Sequence, residues 1–255
     1  MHRIRAFSLL AVVASIALIA IPMTAAADGG SRRLSATPWV FVGSAAQCGG
    51  PAGSRIVTSA WLGGMGLPDN GGTNGVQATR NDPHLGLLLN KNGPTPDCSS
   101  AGATINGVKG MVVDATFELG FDFRNGGHCG AGAPRFNVQT DTISYFVGCA
   151  NAPQVPAPQD PLEWTRTRSI LSTCGVECFP GPIPVGAVIK SIDIVFDEGT
   201  DTANNDTQGV GLAVIDNIDI NGKLITSGSG VEPGGGGRED NDHGGHHGEG
   251  HDGED

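Results

Sequence analysis

The stretch FELGFDFRNG at residues 117–126 decides the fold class of this chain. Its apolar residues alternate with polar or small ones, the period-two pattern of a strand that buries one face; they are Phe117, Leu119, Phe121 and Phe123. The strand ends at Asn125-Gly126, a dipeptide that favours hairpin turns because both residues tolerate a positive φ. The stretch therefore predicts an antiparallel sheet with one face against a core.

The same alternation recurs along the rest of the chain. It covers residues 192–196 and 210–220, and weaker strand-like runs begin near Trp39, Arg55, Leu85, Phe136 and Ile143. Residues 164–171 favour an edge strand over a helix, because threonine and serine alternate there with larger side chains. We predict an all-β fold over residues 38–226, an antiparallel two-sheet sandwich with turns at six Asn-Gly dipeptides.

The first 27 residues have the pattern of a cleavable signal peptide. Arg3 and Arg5 precede an apolar run to Met23, and three alanines follow before Asp28. Residues 28–37 then form a short linker into the fold. We expect a secreted, extracellular protein that has no membrane insertion after the signal is cleaved.

Charge excludes one class of partner. The chain of 255 residues has a net charge of −11. Removal of residues 1–27 takes away two arginines and leaves 13 basic (15 − 2) against 26 acidic side chains, a net charge of −13. Because so acidic a chain repels phosphate backbones, we expect no nucleic-acid partner.

Six cysteines follow the signal peptide, and an even number in an oxidising compartment indicates a disulfide framework. Zinc is disfavoured because no C-x-x-C pair is present. We predict pairing in sequence order, because two of the cysteines bracket a hairpin and two others flank a three-residue loop. The predicted bridges are Cys48 to Cys98, Cys129 to Cys149 and Cys174 to Cys178.

An acidic loop between two predicted strands is a candidate calcium site. Asp197, Glu198, Asp201 and Asp206 supply the hard oxygen ligands that Ca²⁺ takes. The spacing is not that of an EF-hand, and the alternative is a solvated turn. Calcium is the only cofactor that the body of the chain indicates.

Asp216 joins the candidate calcium ligands. It shares the even-numbered row with Val214 and Ile218, so its carboxylate faces the core in a regular strand. A buried carboxylate needs hydrogen bonds or a metal. The alternative is a β-bulge at Asp216-Asn217 that turns the side chain outward.

Residues 227–255 form a glycine-rich, acidic tail that we expect to be disordered, because it has too few apolar residues to fold. Its histidines predict loose binding of a transition metal, and the alternative is a solubilising extension. They are His243, His246, His247 and His251.

Tryptophan and arginine side chains are the candidate ligand-binding residues. Trp61, and Trp164 with Arg166 and Arg168, fit a flat platform for a sugar ring, whereas core packing is the alternative for each tryptophan. No G-x-S-x-G, H-E-x-x-H or P-loop motif is present, so we name no catalytic residue and leave enzymatic activity open.

Two segments carry a family resemblance. GVGLAVIDNIDING at 209–222 and SIDIVFDEGTD at 191–201 resemble the closing strands of secreted bacterial jelly-roll domains of the galactose-binding or carbohydrate-binding-module type. Residues 130–138 and 145–149 resemble those of uncharacterised secreted bacterial proteins. The first resemblance implies a jelly roll, calcium and glycan binding.

From these observations we expect a non-catalytic extracellular binding or cell-surface domain whose ligand is a carbohydrate or a cell-envelope component. The alternatives are a secreted glycan or ester hydrolase on the same scaffold, and a metal-binding or structural envelope protein that acts through its tail.

Overall fold

Residues 33–54, 56–68, 84–200 and 209–228 are described by a computed structural model. The signal peptide, the first half of the linker and nearly all of the tail lie outside these residues. The elements are β1 Ser35–Val42, α1 Ala45–Cys48, β2 Val57–Gly63, β3 Leu85–Lys91, β4 Ser99–Asn106, β5 Glu118–Arg124, β6 Arg135–Thr140, β7 Ser144–Gly148, β8 Gln154–Pro156, β9 Trp164–Ile170, β10 Cys178–Phe179, β11 Ile189–Phe196, β12 Leu212–Ile220 and β13 Lys223–Ile225.

The strands form two antiparallel sheets. One has six strands in the order β1-β4-β11-β6-β7-β10. The other has seven, in the order β2-β3-β12-β5-β9-β8, with β13 paired to β12. The predicted all-β, two-sheet sandwich is confirmed, and the jelly-roll topology stays a prediction. The strand expected at 164–171 is present as β9, although the short strand β8 pairs with it and takes the edge position.

The core lies between the sheets, as the alternation in β5 requires. Leu119, Phe121 and Phe123 are buried in the main hydrophobic cluster. The ring of Phe121 meets that of Phe136 on the opposite sheet at a centroid distance of 5.6 Å. Burial of such side chains supplies most of the stability of a sandwich, at about 1.5–3 kcal/mol each.

Strand β4 is missing from the sequence prediction, although it lies second in the six-stranded sheet. Its sequence, SSAGATIN, begins with five small residues and has only two of the β-branched residues that mark most strands, Thr104 and Ile105. It pairs along its whole length with β1, from Ser35 opposite Asn106 to Val42 opposite Ser99. This pairing also starts the fold at Ser35, three residues before the expected boundary at 38.

Of the four Asn-Gly dipeptides in the described residues, only 221–222 has the expected positive φ at both residues, and at 92–93 neither residue has one. Asn221 and Gly222 both have positive φ, 53° and 78°, and form the two-residue turn between β12 and β13. At 106–107 and 125–126 only the glycine has a positive φ. The dipeptides at 70–71 and 74–75 lie outside the described residues.

All three disulfides follow the predicted sequential pairing. Their Cα–Cα distances are 5.7 Å for Cys48–Cys98, 5.4 Å for Cys129–Cys149 and 5.9 Å for Cys174–Cys178. Such bridges persist in an oxidising compartment outside the cytosol. Over the described part of the chain, no helix is long and apolar enough to cross a membrane.

Candidate functional site

A cleft of about 380 Å³ opens at one end of the sandwich. The antiparallel order brings the ends of β1, β3 and β11 to this position together with the starts of β4 and β6. The lining combines an exposed aromatic ring, a disulfide and charged groups of both signs. The lining residues are Phe41, Cys48, Lys91, Thr95, Asp97, Cys98, Ser99, Ser100, Gly132, Arg135, Asp197 and Glu198.

The structure describes two acids of the candidate calcium loop, Asp197 and Glu198. Both form hydrogen bonds with other parts of the protein. Both carboxylate oxygens of Asp197 accept hydrogen bonds from Arg135, at 2.6 and 2.8 Å. Glu198 lies 2.7 Å from Nε2 of His128 and accepts the N–H of Gly132 at 3.1 Å. Their oxygens still reach the cleft, since the two side chains are 38% and 27% exposed.

Asp201 and Asp206 lie outside the described residues. Within those residues, no group of three or more histidine, cysteine or acidic side chains is placed to hold a metal ion. Calcium at this loop therefore stays a prediction.

Lys91 is a site residue that was not identified from the sequence. Its side chain is fully buried, and Nζ donates to the carbonyl oxygens of Thr95, Asp97 and Asp197 at 3.0, 3.2 and 2.6 Å. It also lies 3.2 Å from the Asp97 carboxylate. One signal was present in the sequence, because residue 91 continues the buried row of Leu87 and Leu89.

The partners of Asp97 keep its carboxylate ionised. Burial by itself raises the pKa of this group. Hydrogen bonds from Ser99 and Lys91, the positive charge of Lys91 and the N–H of Ser54 outweigh that effect and lower the pKa below its ordinary value. The wall of the cleft therefore holds a fixed pair of opposite charges.

An exposed aromatic edge continues from the cleft along β1. Trp39 and Phe41 point to the outer face of the six-stranded sheet, since Ala36 and Pro38 are the buried residues of this strand. The indole of Trp39 lies against Gly102 of β4, and the residue is partly exposed. Phe41 is 41% exposed. Neither residue is among the sequence-based candidates, although 37, 39 and 41 alternate with the buried positions.

A second aromatic group lies on the same face, at the far edge of the sheet. The rings of Phe146 and Phe179 stack with centroids 6.3 Å apart, and the guanidinium of Arg135 lies 5.4 Å from the centroid of Phe146. Phe179 is 66% exposed. Polar side chains fill the strands between the two edges, where Thr104 donates to Asp193 at 2.6 Å.

The prediction that Trp61 and Trp164 form a ligand platform is wrong. Trp61 is 5% exposed and packs in the core, where its Nε1 donates to the carbonyl of Ala36 at 3.1 Å. Trp164 is fully buried against Leu67, Ala157 and Val214. Both rings follow the usual behaviour of a large apolar side chain in a small β-fold, which packs where it removes most surface from water.

Arg166 and Arg168 lie on the outer face of the other sheet, away from Trp61. Arg166 forms two hydrogen bonds with the buried carboxylate of Asp122, at 2.8 and 2.9 Å. Arg168 donates to Asp219 at 3.1 Å. The structure thus commits both guanidinium groups to internal ion pairs; ligand binding by them stays a prediction.

Asp216 lies at a β-bulge, which is the alternative to a regular strand that the sequence left open. The register between β12 and β5 shifts after this residue, and Asn217 has a φ of 46°. The bulge places Ile218 in the core and leaves Val214 and Asp216 on the outer face. The side chain is nevertheless only 1% exposed.

The Asp216 carboxylate accepts the backbone N–H groups of Leu67 at 2.7 Å and Asn217 at 2.6 Å. Burial raises its pKa to about 6; the two N–H groups and His84 oppose the rise and the charge of Asp122 adds to it. This network is separate from that of Asp197 and Glu198, so the described contacts do not unite the predicted calcium ligands.

The tail histidines His243, His246, His247 and His251 lie outside the described residues, and metal binding by them stays a prediction.

Comparison with known proteins gave no relative for this chain. No family model matches it, and no curated protein and no solved structure matches it either. The resemblance to jelly-roll carbohydrate-binding domains therefore stays a prediction, and any functional conclusion depends on the chain's own geometry.

Proposed function

We propose that this chain is a secreted, non-catalytic binding domain that holds a glycan on the outer face of its six-stranded sheet. The observation that carries the proposal is the indole of Trp39, which lies against Gly102 on the outer face of the sheet and remains partly exposed, two residues before Phe41 in the cleft lining. The export signal predicted at residues 1–27 and the three disulfides agree with an extracellular site of action.

A sugar ring has an apolar face and a rim of hydroxyl groups, so its binding site needs a flat aromatic surface next to hydrogen-bonding groups. Trp39 and Phe41 supply the aromatic surface. The oxygens of Asp197 and Glu198 at the cleft mouth supply acceptors for hydroxyl groups, and Ser100 supplies a hydroxyl. The cleft volume of about 380 Å³ lies in the range of small-molecule sites.

The same face favours a chain of sugars over a single one. Strands β1 and β7 are four neighbours apart in the sheet, which is about 19 Å at ~4.8 Å per strand. Trp39 stands at one end of this span, and the stacked pair Phe146 and Phe179 stands at the other. The row in register with Phe146 carries Asn137, Asp193 and Thr104 across the strands and reaches β1 at Thr37, two residues before Trp39. We therefore propose an oligosaccharide that crosses the strands.

Charge narrows the ligand class further. The cleft and face expose Asp193, Asp197 and Glu198, while the cations that line the cleft, Lys91 and Arg135, are paired to internal acids. A polyanionic glycan would have to compete with those acids and would meet a protein whose net charge is −13 (13 − 26) once residues 1–27 are removed. We propose a neutral or amino sugar polymer.

The test is a glycan array probed with the labelled protein and with Trp39→Ala. We expect the wild type to bind neutral or amino oligosaccharides and Trp39→Ala to lose that signal. Leu162→Ala is the matched control, since Leu162 is 69% exposed but does not line the cleft. Equal binding by all three proteins, or none by the wild type, contradicts the proposal. Turnover of chromogenic glycosides or esters would instead favour a hydrolase.

A further inference from the structure

Two loops close over the end of strand β3, beside the cleft. Residues 92–98 connect β3 to β4, and residues 197–200 leave β11. The N–H of Thr200 donates to the carbonyl of Gly93 at 2.9 Å, and the hydroxyl of Thr95 donates to the carbonyl of Glu198 at 2.5 Å. These two bonds join the loops directly, and further bonds join them through Lys91.

Four oxygen atoms surround the Lys91 ammonium, three backbone carbonyls and one carboxylate, and they come from both loops. Carbonyl and carboxylate oxygens are the ligands that proteins offer to Ca²⁺. Here the distances to Nζ are 2.6–3.2 Å, which are hydrogen-bond lengths. A calcium ion needs ~6–8 oxygens at ~2.3–2.6 Å and cannot share this space with an ammonium group.

The carboxylates next to these four oxygen atoms point away from the Lys91 ammonium, as expected if lysine and not a metal ion occupies the space. The Asp197 carboxylate turns to Arg135 and the Glu198 carboxylate to His128. The backbone carbonyl of Asp197, by contrast, points at the ammonium and makes the shortest contact. The acidic loop thus offers its side chains to Arg135 and His128 and its backbone to Lys91.

We infer that the Lys91 ammonium is the resident cation of this loop pair and holds it at the acidic loop where the sequence predicts a calcium site. The buried charge is balanced by Asp97, and the N–H donors of the ammonium are shared among its carboxylate and three backbone carbonyls. The loops at the cleft are therefore fixed by a covalent part of the chain, and their order needs no metal.

The first experiment is a melting curve of the full chain with 5 mM CaCl₂ or with 5 mM chelator, concentrations chosen for the assay. The inference predicts Tm values within about 1 °C of each other, because a ligand that does not bind the native state does not shift Tm. A rise of several degrees with Ca²⁺ would overturn it.

The second experiment removes the ammonium in Lys91→Met, with Lys190→Met on an exposed position of β11 as the matched control. Loss of one partner from a buried ion pair lowers Tm by roughly 10 °C in a domain of this size, or prevents folding. The control should stay within about 2 °C of the wild type. A Lys91→Met variant with the same Tm as the wild type would overturn the inference.

The third experiment needs no variant. Reductive methylation of the native protein should modify Lys190 and Lys223, both exposed, and leave Lys91 unmodified until the chain is denatured. Peptide mass spectrometry measures each site. Methylation of Lys91 in the native protein at the rate of Lys190 contradicts a caged ammonium.

Discussion

The indole of Trp39 lies so close to Gly102 that a Cβ at residue 102 would come within 2.3 Å of its Cζ2 atom. The same Cβ would come within 2.4 Å of the carbonyl oxygen of Ile194, which is backbone and cannot move aside. Glycine is therefore required at this position of β4, because any side chain there would displace the ring of Trp39.

We predict that Gly102→Ala destabilises the domain by about 1–3 kcal/mol, the usual cost of overpacking. It should also weaken glycan binding, because the displaced indole no longer presents a flat surface. Urea denaturation measures the first effect and retention on a polysaccharide resin the second. The control is Gly175→Ala, where the nearest atom to a new Cβ is 3.4 Å away. If Gly102→Ala is as stable as Gly175→Ala, the close approach of Trp39 to residue 102 does not affect stability.

Asp122 is the second position with a clear expectation. It is fully buried and accepts hydrogen bonds from Arg166 and from the side chain of Asn217. Asp122→Ala leaves the guanidinium without its partner, so we expect a loss of about 3–5 kcal/mol in urea denaturation. The control, Asp114→Ala on an exposed loop, should have a much smaller effect. Equal losses in the two variants would mean that the buried pair is not formed.

Asp216 predicts a pH dependence of stability. Its pKa in the folded protein is raised to about 6, above the ordinary value of 3.8. The folded state therefore binds the proton more tightly than the unfolded state. The contribution of Asp216 to the free energy of unfolding is fully present below about pH 4 and is lost as the pH rises through about 6. Because a tenfold difference in proton affinity is worth ~1.4 kcal/mol, the full change is about 3 kcal/mol.

The measurement is urea denaturation of the wild type and of Asp216→Asn at pH 4, 5, 6 and 7. The free energy of unfolding of the wild type should fall relative to that of the variant across this range, since the amide does not titrate. Other titrating groups cancel in the difference. A difference that is constant with pH would show that Asp216 has the same pKa in the folded and unfolded chain.

The Cys48–Cys98 disulfide spans 50 residues and forms part of the cleft wall. Its removal in a double serine variant should cost about 4 kcal/mol from the entropy of the unfolded loop. The Cys174–Cys178 bridge spans 4 residues, and its removal should cost about 2 kcal/mol. Urea denaturation of both variants measures the two losses in the free energy of unfolding. A larger loss on removal of the Cys174–Cys178 bridge would contradict the prediction.

Much of the fold was predictable from local sequence. The alternation around Phe117 and the hairpin bracketed by Cys129 and Cys149 are short-range patterns, and both correspond to strands that the structure contains. Strand β4 was not predictable, because most of its residues are small and one of them, Gly102, is required by the ring of Trp39 that lies against it. That ring belongs to a residue 63 positions earlier in the chain (102 − 39).

The candidate site was less predictable than the fold. The tryptophans chosen from the sequence, Trp61 and Trp164, are buried, whereas Trp39, which is partly exposed, was not chosen. The alternation of apolar and polar residues shows which side chains share a face of a strand. It does not show whether a loop covers that face and so buries a side chain on it. Asp216 shows the same limit, since its bulge turns it outward and the loop of Leu67 then buries it.

Electrophoresis in native gels that contain one polysaccharide each tests the central claim most directly. The panel would comprise soluble xylan, mixed-linkage glucan, galactomannan and chitosan, with wild type, Trp39→Ala and Leu162→Ala run side by side. We predict that at least one neutral or amino polymer retards the wild type and Leu162→Ala. Binding by Trp39→Ala should be at least about tenfold weaker, since a central aromatic contributes about 2 kcal/mol or more. Retardation of Trp39→Ala equal to that of the wild type would contradict the claim.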